Sequence, residues 1–315
     1  MRILTLFLDG IGLGEDDAGA NPFAIAHTPT MRSLANGKRW LASTGFQRGD
    51  DAIFIPTDAR LGVPGRPQSG TGQASLLTGL NVPKRIGRHY GPKPDAETRA
   101  IISEHSYFKR LTERGKSARL LTAYPEGLLR NFARGKTLRS SVQQAAYEAG
   151  APHFTADDVI ARRALTAEWT TNSWREHLKI NGLPSYSPRE AGCMLARLSR
   201  QYDFAFHSHW LTDRIGHRGT LERGVEILER FDQALAGLLQ EWRADEGLIV
   251  ITSDHGNLED LNTRRHTLND VPTVVIGKRA SEFAAGYQSL TDFVPACDRM
   301  LFGNRQTMND ELSRP

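Results

Sequence analysis

The chain has 315 residues, 39% of them apolar and 24% charged, with a formal net charge of +4. No stretch reaches the roughly 18–20 uncharged apolar residues of a membrane span, and two cysteines are too few for a disulfide framework, so a cytoplasmic setting is expected. The basic excess is scattered arginine without aromatic interleaving, which argues against a nucleic-acid partner and suits a solvated surface or a field that draws in anionic substrates.

In chain order, the first element is an apolar run at 3–8, ILTLFL, which closes on Asp9. No signal-peptide cleavage site follows it. Ser69 stands in QSGTGQASLLTG, just ahead of a predicted helix start. A second strand-like run is ARLLTA at 118–123. Residues 126–190 change character: polarity is mixed, AEWTTNSWREHLKI brings aromatics, and Gly182, Pro184 and Pro188 mark loops. We read 126–190 as an inserted, mostly helical cap over a core made of 1–125 plus 191–315. One more layer of the same domain is the alternative. Leu195 and Leu198 place a helix around 188–200, and FAFHSH at 204–209 is the next strand. Over 220–243, Leu221, Val225, Leu228, Phe231, Leu235, Leu238, Leu239 and Trp242 recur at helical spacing, with Gly247 as an expected stop. LIVITS at 248–253 and PTVVIG at 272–277 complete the strands, and the tail NDELSRP reads as a frayed end. Short continuous apolar runs alternating with helices predict an α/β fold, a mostly parallel sheet sandwiched by helices.

The chemistry-bearing residues fall at the ends of these runs. Asp9 closes the first. Asp213 and His217 share a helix face in TDRIGHRG if that loop turns helical. Asp254 and His255 follow a buried run directly, where ionisable groups are costly unless paired or metal-bound. His266 follows in RRHTLNDVP. Taken singly, each has a plainer reading: an Asp-x-x-x-His pair is common, and a lone histidine is more often a surface group. Together they supply ligands for two divalent metal ions, with Mn2+ or Zn2+ comparably suited on ligand type. Ser69 adds a hydroxyl nucleophile, and the combination points to phosphoryl transfer. His207 and His209 are read as hydrogen-bonded strand histidines, with one of them facing the site as the alternative. Two nucleotide-site motifs fail. Gly10, Gly12 and Gly14 lack the dinucleotide spacing, and GRPQSGT has Thr71 where a phosphate-binding loop needs lysine.

These motifs resemble the alkaline phosphatase superfamily, in particular the metalloenzyme branch that contains phosphopentomutase and cofactor-independent phosphoglycerate mutase. LFLDGIGLGEDDAG looks like the phosphopentomutase opening, SDHGN followed by HTLNDVP like the mutase C-terminal motif, and QSGTGQASLLTG like the nucleophile segment. The resemblance implies one metal held by Asp213, His217 and His266. It implies a second held by Asp9, Asp254, His255 and the Ser69 oxygen, with Ser69 transiently phosphorylated. The tilt towards Mn2+ comes from the same resemblance. Gly72–Gln73 stands where the mutases carry Gly-His, and the chain between the nucleophile and the second metal motif is short. Both favour a phosphomonoester hydrolase over the alternative, a phosphomutase acting on a phosphorylated sugar or sugar acid. In the mutase reading Arg85, Arg88, Arg130 and Arg134 are candidates for a distal anion, and Thr71 is a fallback nucleophile. A non-catalytic metal-binding scaffold is the third reading. The expected partner is a small phosphorylated molecule.

Overall fold

The apolar runs become the spine of one sheet in the computed structural model, which describes residues 1–303 apart from 244 and 246. The tail at 309–315 lies outside the described residues. The strands are β1 (Arg2–Leu8), β2 (Gln47–Arg48), β3 (Ala52–Thr57), β4 (Ala118–Leu120), β5 (Phe204–His209), β6 (Gly247–Thr252) and β7 (Val271–Ile276). Their order across the sheet is β2-β3-β7-β6-β1-β5-β4. β4, β5, β1 and β6 are parallel, β7 runs against β6 and β3, and β2 runs against β3. β3 therefore points the same way as β1, and the sheet is mixed but mostly parallel, as expected. Two details differ from the sequence reading. The run at 272–277 is antiparallel to its neighbour, and β3 was not anticipated. Pro56 interrupts the β3 pattern and pairs across from Pro272, where neither residue has an N–H to offer.

Alternate residues of each central strand enter opposite layers. Leu4, Leu6, Leu8, Ile249 and Ile251 pack towards the helices Pro188–Ser199 and Leu221–Glu241. Ile3, Phe7, Phe204, Phe206 and Val250 pack towards the helices Ser69–Thr78, Tyr107–Glu113 and Phe293–Phe302. Both faces are covered, which is why these strands read as unbroken apolar runs. The first helix pair crosses closely. A Cβ at Gly192 would lie 1.8 Å from the Ala234 carbonyl oxygen, and one at Gly237 would lie 2.0 Å from that of Arg189. The long helix ends at Glu241 with Trp242 extended, and Gly247 opens β6 instead of stopping the helix.

Residues 126–190 contain Glu126–Ala133, Ser141–Tyr147, Ala156–Ile160 and a π-helical turn, Trp174–Leu178. Val142 and Ala145 join the buried cluster on one side of the sheet, and Val159, Leu165 and Trp169 join the other. Among the described residues, no helix is long and apolar enough to cross a membrane.

Candidate active site

One edge of the sheet collects every element of the site. The central neighbours β6, β1 and β5 end there, at the carboxyl ends of the strands where open α/β sheets bind ligands. Asp9 follows β1, and Asp254 and His255 follow β6. β5 runs through Trp210 into the helix Leu211–Arg218, which carries Asp213 and His217 one turn apart. His266 lies ahead of β7, whose reversed sense brings its start to the same edge. Ser69 is the first residue of a helix reached from the end of β3.

Ser69 Oγ lies 2.9 Å from His255 Nε2. Asp213, His217 and His266 each bring one ligand atom within 4.8 Å of the others, and Asp9, Asp213 and His255 do the same. Asp213 therefore stands between the two halves of the centre. The rings of His255 and His266 stack at 3.7 Å. Asp254 Oδ2 is 3.6 Å from His255 Nε2, and Asp254 Oδ1 accepts from the Gly10 N–H at 3.4 Å.

The histidines are turned inward by backbone carbonyls. His217 Nδ1 is 3.1 Å from the Arg264 oxygen, His255 Nδ1 is 3.3 Å from that of Gly256, and His266 Nδ1 is 2.7 Å from that of Pro67. A carbonyl can only accept, so each Nδ1 carries a hydrogen and the neutral ring aims the Nε2 lone pair at the centre. Nε2 of His217 and Nε2 of His266 are only 3.1 Å apart. Two lone pairs repel at that distance unless a proton or a cation lies between them. Asp9 Oδ1 is buried without a hydrogen-bond partner among the described residues, with His255 Nε2 3.5 Å away. Inward lone pairs, an orphaned carboxylate oxygen and carbonyl-fixed rings fit divalent cations.

The electrostatics agree. Burial, with the charges of Asp254 and Asp213, holds the Asp9 carboxyl well above the usual carboxylate range. Burial pulls His255 down. Burial works against ionisation of Asp213, but its hydrogen bond with His266 and the charge of His255 outweigh this and lower it. Burial also opposes the charged form of His266, whose bond to Asp213 nonetheless leaves it raised. Carboxylates crowded in one buried centre call for positive charge.

Several residues were not singled out from the sequence. Gln73 donates from Nε2 to Asp9 Oδ2 and Asp254 Oδ2, each at 3.1 Å, holding the two carboxylates together. Its departure from the mutase pattern was the available signal. Asn257 donates to Asp213 Oδ1 at 2.7 Å. Glu259 is buried and accepts from the Gly12 and Asn257 N–H groups at 2.9 and 2.7 Å. Both glycines beside it need to be glycine, because a Cβ on Gly12 or Gly256 would lie 2.2 or 2.1 Å from Glu259 Oε1.

A cavity of about 850 Å3 opens over Asp9, Ser69, Asp213 and His217, and Lys93, Arg214 and Arg218 also line it. Arg85, Arg88, Arg130 and Arg134 do not line it. Arg88 pairs with Asp95 at 2.6 Å and Arg130 with Glu126 at 3.2 Å. Thr71 is fully buried, and its hydroxyl accepts from the Tyr90 N–H at 3.2 Å. His207 and His209 are buried away from the cavity against Trp169, with His209 Nδ1 on the Ala167 carbonyl.

Residues 191–303 match the model of the Metalloenzyme superfamily. Through this segment, about a third of the chain, the protein is similar to that superfamily. The segment carries Asp213, His217, Asp254, His255 and His266, and the match bears out the resemblance read from the motifs. The 2,3-bisphosphoglycerate-independent phosphoglycerate mutase of Methylobacillus flagellatus is 34% identical over 113 residues, 34% of this chain and 22% of the mutase. That of Thiobacillus denitrificans is 34% identical over 110 residues, 33% of this chain and 21% of the mutase. The match thus spans about a fifth of these relatives' length. Among solved structures, the PH0037 protein from Pyrococcus horikoshii aligns with a TM-score of 0.56 at 19% identity, covering 96% of this chain and 97% of that one. This likeness shows a shared fold.

Proposed function

We propose that this protein is a metal-dependent phosphoryl-transfer enzyme of that superfamily, a phosphomonoester hydrolase that works through a phosphorylated Ser69. The observation that carries the proposal is the Ser69 hydroxyl at the floor of the cavity, 2.9 Å from His255 Nε2 and amid the inward-facing ligands. Asp213, His217 and His266 would hold one divalent cation, and Asp9, Asp254, His255 and Ser69 the other, with Asp213 in reach of both. We favour Mn2+ over Zn2+. Such cations, when bound, make a hydroxyl easier to ionise and offset phosphoryl charge. The chain supplies the rest. Gln73 fixes the spacing of Asp9 and Asp254. The Ser69 and Gly70 N–H groups at the start of the Ser69–Thr78 helix have no acceptor within it and favour an anion, whereas the Thr71 N–H donates to the Tyr90 carbonyl at 3.0 Å. Lys93 lines the same cavity and offers the phosphate a cation; burial lowers its pKa, against the charge of Asp9.

Leu128, Ser140, Gln143 and Trp174 wall the cavity, so we treat 126–190 as a cap that sets specificity over a core of 1–125 plus 191–315. A cytoplasmic setting is proposed from the two free cysteines. The test is phosphate release from p-nitrophenyl phosphate and sugar phosphates by metal-stripped protein reloaded with Mn2+ or Zn2+. Ser69→Ala should abolish release and the phosphoserine seen by intact mass. Undiminished turnover in that variant eliminates the nucleophile. The names of the relatives favour a second reading, a phosphomutase, which free phosphate without an isomerised product would reject.

A further inference from the structure

The helix Leu211–Arg218 serves two places at once. Asp213 and His217 face the centre, and the residue after each is an arginine. Arg214 and Arg218 are therefore also one turn apart, rotated onto the neighbouring face. Both are exposed, and neither has an ion pair or side-chain hydrogen bond among the described residues. Both line the 850 Å3 cavity and also a second cavity of about 590 Å3 beyond it. Pro125, Ala167, Trp174 and Trp210 are the other residues common to the two, so the cavities meet along this strip.

Trp210 is 42% exposed, and Leu178, on the wall of the outer cavity, is 46% exposed. Large apolar side chains lining a cavity together with a few charged groups are the usual make-up of a small-molecule pocket. The acid in the outer cavity, Glu168, is buried and already accepts from the Ser173 N–H at 2.8 Å. Arg223, at the far end, is paired with Glu226 at 2.8 Å. The unpaired positive charge is thus concentrated on Arg214 and Arg218.

We propose that Trp174, Trp210, Arg214 and Arg218 form a distal subsite. It would take a carboxylate or second phosphate joined to the reacting phosphate ester through a flat, apolar body. The body would lie between the two indoles, and the distal anion would sit on the paired guanidinium groups, which suit planar oxyanions. This assignment rests on the phosphoester reading of the centre, and it narrows the substrate class to elongated, doubly anionic esters.

Binding can be read without turnover, by calorimetry on full-length Ser69→Ala protein loaded with Mn2+. The probes are phenyl phosphate and 4-(2-carboxyethyl)phenyl phosphate. We expect the carboxylated ester to bind about tenfold tighter, the effect of one good charged contact. In Arg214→Gln/Arg218→Gln the ratio of the two affinities should collapse to about one. Those side chains are exposed and make no hydrogen bond or ion pair among the described residues, so misfolding is not expected, and a melting curve checks it. Trp210→Ala should weaken both aryl esters. Equal affinity of the two esters, or a preference that survives in the double variant, overturns the subsite alone. Binding of neither ester overturns the subsite together with the phosphoester reading.

Discussion

Glu259 offers a sharp test of how the site is assembled, because it joins three loops and itself belongs to neither ligand trio. Its carboxylate accepts from the Gly12 N–H at 2.9 Å, the Asn257 N–H at 2.7 Å, Asn269 Nδ2 at 3.1 Å and the Thr267 hydroxyl. The loops concerned are those that carry Asp9, His255 and His266. The residue is only 2% exposed. In Glu259→Ala these donors would face a space that a methyl group does not fill. A buried donor left without a partner costs about 1–3 kcal/mol. Water can reach a polar void of this kind and serve the side-chain donors, so we count only the two backbone N–H groups, which gives roughly 2–6 kcal/mol. At about 2–4 °C per kcal/mol for a large domain, melting should fall by roughly 4–24 °C. Metal affinity should fall about 10–100-fold, as for other groups that position ligands. Glu259→Gln keeps the shape but can accept at one oxygen only, so it should lie between. Melting curves and metal titrations on the same preparations give both numbers. A Glu259→Ala protein that melts within about 2 °C of the parent and binds Mn2+ normally would refute the reasoning.

Three further outcomes are expected. Gly72→Ala lies inside a helix, where the exchange usually gains about 1 kcal/mol. Here its Cβ would lie 2.9 Å from the Asp254 carbonyl oxygen, so the variant should instead lose about 1–3 kcal/mol, and a rise in melting temperature would sink this reading. Gly192→Ala should cost at least about 2 kcal/mol by prising apart the helices Pro188–Ser199 and Leu221–Glu241, which denaturant titration would measure. Acid should destabilise the metal-free protein before any carboxylate titrates normally. Burial, helped by the charges of Arg139 and Arg119, holds His153 down at about 4, and burial holds His207 and His209 down at about 3 and 4. Because the folded values lie below the unfolded value of about 6.5, the unfolded chain binds more protons as pH falls below it. Stability is then fully present above about pH 6.5 and is lost on descent towards pH 4, on the order of 1–2 kcal/mol per histidine by pH 5. Equal unfolding free energies at pH 7.5 and pH 5 would contradict this.

What the sequence exposed, and what it hid, follow from the same physics. A strand covered on both faces must be apolar throughout, so β1, β5 and β6 were visible as runs, and an ionisable residue closing such a run stands out as Asp9 and Asp254 do. Strand direction leaves no such mark. β7 is as apolar as β6, and only its pairing shows it reversed. β3 hid behind Pro56, because a proline ordinarily argues against a paired strand. Within the site, ligand types are rare enough in buried places to be picked out singly. Gln73 and Glu259 are ordinary polar residues in sequence, and they gain meaning only from the groups that meet them across gaps of 64, 181 and 247 residues. Arg214 and Arg218 were hidden in plain view beside the proposed ligands Asp213 and His217. The helical repeat that puts the ligand pair on one face puts the arginine pair on the next, and it takes the second cavity to show that this face is also lined. The proposed distal subsite was for this reason less legible than the proposed catalytic centre. Chemistry restricts which residue types can hold a phosphoryl group, whereas a distal pocket can be built from any combination that fits the far end of the molecule.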